Sequence, residues 1–208
     1  MIDLTVVTPS IPGRRQWLYE CIASVDEQTV KPAGHIISIG KAAEGQPKLP
    51  HIVETRNRLC MAVDTAWVSS LDDDDLFDPN HFETVAPYLD GPYDLIYTYA
   101  HGFPSQDCSA WNGQEIVDAL GRHNWIGMPA CIRLETVWAA GGWSIEGWNP
   151  ETYYYGEGPC WAEDWDLWLR MAQIGARFLC IPQETWHYRL DSPDRTTHAA
   201  MAVFQRRG

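Results

Sequence analysis

The chain has 208 residues, a formal net charge of −13, eleven tryptophans and six cysteines. That length suits one domain burying about 70% of its unfolded surface, so its core needs no metal or disulfide staples. The negative charge excludes nucleic acid as a natural partner, and no apolar run approaches the length of a membrane span. Cys21, Cys60, Cys108, Cys131, Cys160 and Cys180 show neither CxxC nor zinc-type spacing. With no leader-like segment before the first strand, they read as reduced, mostly buried thiols of a soluble, cytoplasmic protein.

Leu4-Thr5-Val6-Val7-Thr8 is a β-branched run stopped by Pro9-Ser10-Ile11-Pro12-Gly13, which predicts a buried strand leaving through a loop. Residues 15–27 follow as a helix, with Leu18, Cys21, Ile22 and Val25 on one face. His35-Ile36-Ile37-Ser38-Ile39 predicts a second strand, stopped by Gly40. Residues 55–64 are helical in character, 66–71 form a third strand, 79–89 a helix with Pro79 in its first turn, and 94–99 a fourth strand. This alternation predicts an α/β fold with a mostly parallel central sheet flanked by helices, whose ligands collect at the carboxyl ends of the strands.

After Ala100 the alternation weakens and Gly, Trp and Tyr become frequent. Residues 128–133 predict a strand and 134–140 a short helix ended by Gly141-Gly142. A longer helix spans 162–174, with Trp161, Trp165, Trp168, Leu169 and Ala172 as its buried stripe and Gly175 as its stop. No repeat or linker intervenes, so residues 1–208 read as one domain.

The segment richest in chemistry is Trp67-Val68-Ser69-Ser70-Leu71-Asp72-Asp73-Asp74-Asp75, an apolar strand running into four aspartates. Four adjacent like charges at the end of a buried strand call for a cation. Carboxylate oxygens are hard ligands, which favours Mg²⁺, Mn²⁺ or Ca²⁺. The competing reading is a solvated acidic turn capping the helix near Pro79. Glu163 and Asp164 form a second acidic pair, in the first turn of the 162–174 helix, where the helix dipole favours ionised carboxylates.

In this order the blocks resemble glycosyltransferase family 2, with the GT-A fold. Val6-Val7-Thr8-Pro9-Ser10 is similar to the family's opening strand, and Arg56-Asn57 with residues 66–75 to its RN helix and DxD strand. Gly141-Gly142-Trp143 looks like its GGF turn, and Glu163-Asp164-Trp165 like its ED motif, with Tyr188-Arg189 downstream. The resemblance implies an inverting enzyme, dependent on Mn²⁺ or Mg²⁺, that moves one sugar from a nucleoside-diphosphate sugar to an acceptor hydroxyl. Asp164 would be the general base beside Glu163. Thr8, Pro9, Arg56, Asp72, Asp73 and Asp75 would meet the nucleotide. Asp74 and Asp72 would hold the metal, its shell completed by His187 or Asp191. Residues 1–100 would form the nucleotide and metal half, and 101–208 the acceptor and base half.

Trp143, Trp148 and Trp161, with Tyr153, Tyr154 and Tyr155, are the expected acceptor-stacking surfaces, since flat aromatic faces suit sugar rings. Where relatives carry an acid after the second strand, this chain has Ile39-Gly40-Lys41-Ala42-Ala43. UDP is the default donor, with GDP and dTDP open. Two other classes compete: a sugar-nucleotidyltransferase, whose Gly-rich triphosphate loop is missing here, and a noncatalytic metal-dependent carbohydrate binder. Its calcium loop could not be an EF-hand, because Phe77 stands where the turn needs Gly.

Overall fold

The computed structural model describes residues 1–40, 48–102, 110–111, 113–121, 124–144, 154–155, 158–159 and 163–189. In chain order the elements are β1 (Ile2–Ser10), α1 (Arg15–Asp26), β2 (Pro32–Ile39), α2 (Lys48–Met61), β3 (Trp67–Ser70), β4 (Leu76–Phe77) and α3 (His81–Val85), which tightens into a 3-10 turn (Ala86–Tyr88). They continue as β5 (Leu95–Ala100), β6 (Ala110–Trp111), α4 (Gly113–Leu120), β7 (Cys131–Arg133), α5 (Leu134–Ala139), β8 (Tyr154–Tyr155), β9 (Gly158–Pro159), α6 (Glu163–Gln173) and β10 (Phe178–His187).

One sheet runs in the order β2-β1-β3-β7-β5-β10-β4, with β6 added beside β10, and β8 pairs with β9 apart from it. Side chains alternate across it with the two-residue period of a strand. Val7, Val68, Leu95 and Ile132 face one core with α2, α4, α5 and α6. Their neighbours Val6, Trp67, Ile96 and Cys131 face a second core with α1 and α3. Burial on both faces is why residues 4–10 are buried without a break. The helices obey the same demand: α1 buries Leu18, Cys21 and Val25, and α6 buries Trp165, Leu167, Trp168, Met171 and Ala172.

The sheet is mixed rather than mostly parallel. Pairs β1/β2, β1/β3 and β5/β10 are parallel, but β7 inserts antiparallel between β3 and β5, and β4 and β6 run antiparallel to β10. Only three residues long, β7 carries no directional signal in its sequence. The helix expected over 79–89 starts instead at His81, just after Pro79, and is only five residues long before the 3-10 turn. The expectation of six reduced thiols also fails: Cys21, Cys60 and Cys131 are free and buried, but Cys180 is disulfide-bonded. Sequence spacing cannot reveal a pair that only tertiary folding brings together. Among the described residues, no helix is long and apolar enough to cross a membrane.

Candidate active site

The aspartate turn begins at the carboxyl ends of β1 and β3, where the Leu71 N–H donates to the Val7 carbonyl at 3.0 Å. The Asp75 N–H then donates to the Asp72 carbonyl at 3.0 Å, closing a turn that crowds four carboxylates. Asp73, Asp74 and Asp75 are buried and Asp72 is half-buried. A solvated acidic turn would expose all four; the burial removes that reading. The turn is held by donors from the surrounding loops. Ser10 Oγ donates to Asp73 at 2.6 Å, the Arg14 guanidinium lies 3.3 Å from Asp73 and 2.5 Å from Asp74, and the Arg189 N–H donates to Asp75 at 3.2 Å. Even so, burial, with Asp72 and Asp74 adding to it, pushes the Asp73 carboxyl up to about 6 against the opposing pull of Ser10 and Arg14.

One oxygen from each of Asp72, Asp74 and Asp75 lies within 4.8 Å of the others. An all-oxygen donor set of three carboxylates, even with Arg14 and Arg56 beside it, fits Mn²⁺ or Mg²⁺.

Arg56, on α2, links this turn to the second acidic pair. It is 2% exposed; its Nη1 donates to Ser70 at 2.6 Å, Nη2 to Asp72 at 2.8 Å, and Nε and Nη2 to Glu163 at 3.2 Å. Burial alone would lower its pKa, but the Asp72 and Glu163 carboxylates outweigh that and hold it protonated. Its guanidinium also sits 5.2 Å from the centre of the Trp143 ring.

Asp164 follows Glu163 in the first turn of α6 and accepts the Trp165 N–H at 2.6 Å. Burial first, and then neighbouring Glu163, push its carboxyl up to about 7, with the Trp165 N–H and Arg56 opposing. A carboxylate that titrates near neutrality is suited to accept a proton from a hydroxyl.

Asn57, the residue after Arg56, ties two of the sequence blocks together. Its Nδ2 donates to the Trp143 carbonyl at 2.8 Å and its Oδ1 accepts the Trp143 N–H at 2.9 Å. Gly142 makes the fit feasible: its φ is +73°, and a Cβ there would meet Asn57 Oδ1 at 2.9 Å. The turn thereby places Trp143 under Arg56.

The remaining candidates divide. Thr8 is fully buried, its hydroxyl 2.8 Å from His35 Nε2, and Pro9 is buried beside it, so the Thr8 side chain is committed to the interior. Trp143 departs from its expected acceptor role: it is 2% exposed and packs edge-on against Trp168, with no face left for a sugar. His187 departs too. It extends from β10 to Asp78, at 2.8 Å, and groups with His101 rather than with the aspartate turn. Asp191, Trp148, Trp161, Tyr153 and the side chains of Tyr154 and Tyr155 lie outside the described residues.

Arg14, Ser10, Ser70 and Asn57 were missed as site residues. A basic residue in the loop facing an acidic run is a weak signal, and Arg14-Arg15 offers two candidates. The structure separates them: Arg15 turns away to the Tyr19 hydroxyl, at 2.8 Å from Nε and 2.6 Å from Nη2. The buried thiols are no nucleophiles, since burial pushes Cys21 and Cys131 up to about 12.

No protein-family model and no curated protein matches the chain. Solved structures do. S. aureus TarS 1-349 in complex with UDP-GlcNAc superposes with a TM-score of 0.66 at 12% identity, over 95% of this chain and 61% of that one. The mannosyltransferase PcManGT from Pyrobaculum calidifontis, in complex with GDP-Man and Mn²⁺, gives 0.61 at 14% identity, over 99% and 65%. The chain therefore spans about 60% of these longer chains, and it has the GT-A glycosyltransferase fold.

Proposed function

We propose that the chain is a metal-dependent, inverting glycosyltransferase of family 2 that moves one sugar from a nucleoside-diphosphate sugar, by default a UDP-sugar, to an acceptor hydroxyl. The observation that carries this reading is the pairing of a buried aspartate turn with the Glu163-Asp164 pair, linked by Arg56 between Asp72 and Glu163. We read residues 1–208 as one domain with a donor half and an acceptor half. The proposed setting is the cytoplasm, although the disulfide at Cys180 is a feature that reducing compartments disfavour.

Asp72, Asp74 and Asp75 would hold Mn²⁺ or Mg²⁺, which when bound neutralises charge on the departing diphosphate. Arg14 keeps Asp73 and Asp74 in place and brings a second positive charge to the same edge. Arg56 fixes Asp72 and Glu163 in one rigid unit, so donor-side and base-side carboxylates keep their spacing. Above its raised pKa, Asp164 is ionised and accepts the acceptor's hydroxyl proton as the oxygen attacks the anomeric carbon. A single displacement with one base inverts that carbon, and no nucleophile for a covalent sugar intermediate is needed.

A thermal-shift panel of UDP, GDP, dTDP and CDP, each with and without Mn²⁺, tests the donor site, because a ligand that binds only the folded state raises its apparent stability. One nucleoside diphosphate stabilising the protein in the presence of metal supports the reading. Silence from all four overturns it. Product analysis separates the rivals: a nucleotidyltransferase releases pyrophosphate, and a noncatalytic binder releases nothing.

A further inference from the structure

A second cluster of metal-type ligands lies outside this site. Asp78, between β4 and α3, accepts from both histidines: Oδ2 is 2.7 Å from His101 Nε2 and Oδ1 is 2.8 Å from His187 Nε2. The two imidazoles stack with centroids 4.1 Å apart and planes 15° apart, so their Nε2 atoms converge on one carboxylate. Glu184 lies 3.2 Å from His101 Nδ1, on the far side of that ring.

We propose that Asp78, His101 and His187 form a zinc site, with Glu184 as the carboxylate that orients His101. Two imidazole nitrogens and one carboxylate oxygen are a borderline donor set that suits Zn²⁺ better than Mg²⁺ or Ca²⁺. This separates it chemically from the all-oxygen aspartate turn, and the proposal does not rest on the glycosyltransferase reading. A carboxylate behind a metal-binding imidazole is the usual outer partner of such sites, fixing the tautomer that leaves Nε2 free to ligate.

The backbone is fixed on all three sides. The Asp78 N–H donates to the Thr185 carbonyl at 2.9 Å, the Asp78 carbonyl accepts from Gln28 Nε2 at 2.6 Å, the His101 N–H donates to the Trp186 carbonyl at 2.9 Å, and His187 pairs with Leu76 in the sheet. Tetrahedral zinc with bonds near 2.0–2.1 Å separates its ligand atoms by about 3.3 Å, a spacing within the reach of this group. The ligand atoms already lie within 4.8 Å of one another. Partial exposure of all three side chains leaves a fourth position for water. Bound there, zinc would clamp the ends of β5 and β10 to the turn before α3. His187 is two residues from Arg189, whose N–H holds Asp75, so the clamp would stiffen the edge of the aspartate turn.

The test uses tag-free, full-length protein stripped with EDTA. Zn²⁺ is titrated in by calorimetry, and Co²⁺ separately, followed by its visible absorption. One equivalent of Zn²⁺ should bind and should survive Asp74→Ala. Its affinity should fall by about tenfold in Glu184→Gln, and further in His101→Gln and His187→Gln. A retained cooperative melting transition in the metal-free variants controls for folding. Co²⁺ in the unmutated protein should give the intense bands of a tetrahedral nitrogen-bearing site, a readout that needs no variant. Absence of Zn²⁺ binding, binding lost in Asp74→Ala but kept in both histidine variants, or a weak octahedral Co²⁺ spectrum would each overturn the proposal.

Discussion

Two clusters of ionisable groups flank the same short strand β4, and they solve opposite problems. Before it, the carboxylates of Asp72 to Asp75, with Glu163 and Asp164 across from them, outnumber the Arg14 and Arg56 guanidiniums that pair with them, and Asp73, Asp74 and Asp75 are buried. After it, Asp78 and Glu184 meet His101 and His187 in a partly exposed group. In the first cluster, burial and then charge excess displace Asp73 to about 6 and Asp164 to about 7. Poised acid–base groups require that imbalance.

The largest expected effect separates chemistry from binding. Asp164→Asn should lower transfer by about 10²- to 10⁴-fold, as for loss of a general base, while nucleotide-dependent stabilisation stays near that of the unmutated protein. Normal turnover in this variant would break the comparison. Asp74→Ala should do the reverse in binding assays, removing the metal dependence of nucleoside-diphosphate affinity. An unchanged metal response would place the ion elsewhere.

Arg56→Met should destabilise the protein by about 3 kcal/mol, the low end for removing one partner of a buried pair, because Asp72 keeps access to water. His187→Ala, at the exposed cluster in metal-free protein, should cost only about 0.2–1 kcal/mol. Equal losses in urea unfolding would mean that burial does not distinguish the two regions. Gly142→Ala falls between them, at about 1–3 kcal/mol, because it forces a positive φ and drives a methyl into Asn57.

The smallest effects are in pH. Below about 7 the raised Asp164 carboxyl is protonated and cannot accept a proton, so kcat/KM should rise with pH and level off above that value. The same shifts act on stability with the opposite sense. Between the ordinary carboxylate range and about 7, the folded protein binds more protons at Asp73 and Asp164 than the unfolded chain does. Their contribution to metal-free stability therefore falls as pH rises through that window. Added Mn²⁺ should recover part of the loss at pH 8, and melting curves with and without metal measure it.

Much of the fold was legible because its elements obey local periods. The β-branched run of β1 announces itself as an unbroken buried run, and the apolar face of α1 and the tryptophan stripe of α6 by a period of three to four residues. Strand β10 did not, because exposed Pro182, Gln183 and Glu184 interrupt its alternation where its pairing with β5 shifts register. Strand β7 was recognisable, but its antiparallel direction was not.

By itself, the sequence determined that one hydrophobic strand ends in an acidic turn, and that an Arg-Asn pair, a Gly-Gly turn and a Glu-Asp pair occur in a fixed order, since each is a property of adjacent residues. Only the tertiary structure decided what those groups do to one another. It placed Arg56 between Asp72 and Glu163, sent Arg14 rather than Arg15 to the aspartates, buried Trp143 beneath a guanidinium, and drew His187 to Asp78. Electrostatic energy and desolvation depend on distance through space and on access to water, and neither is written in separation along the chain.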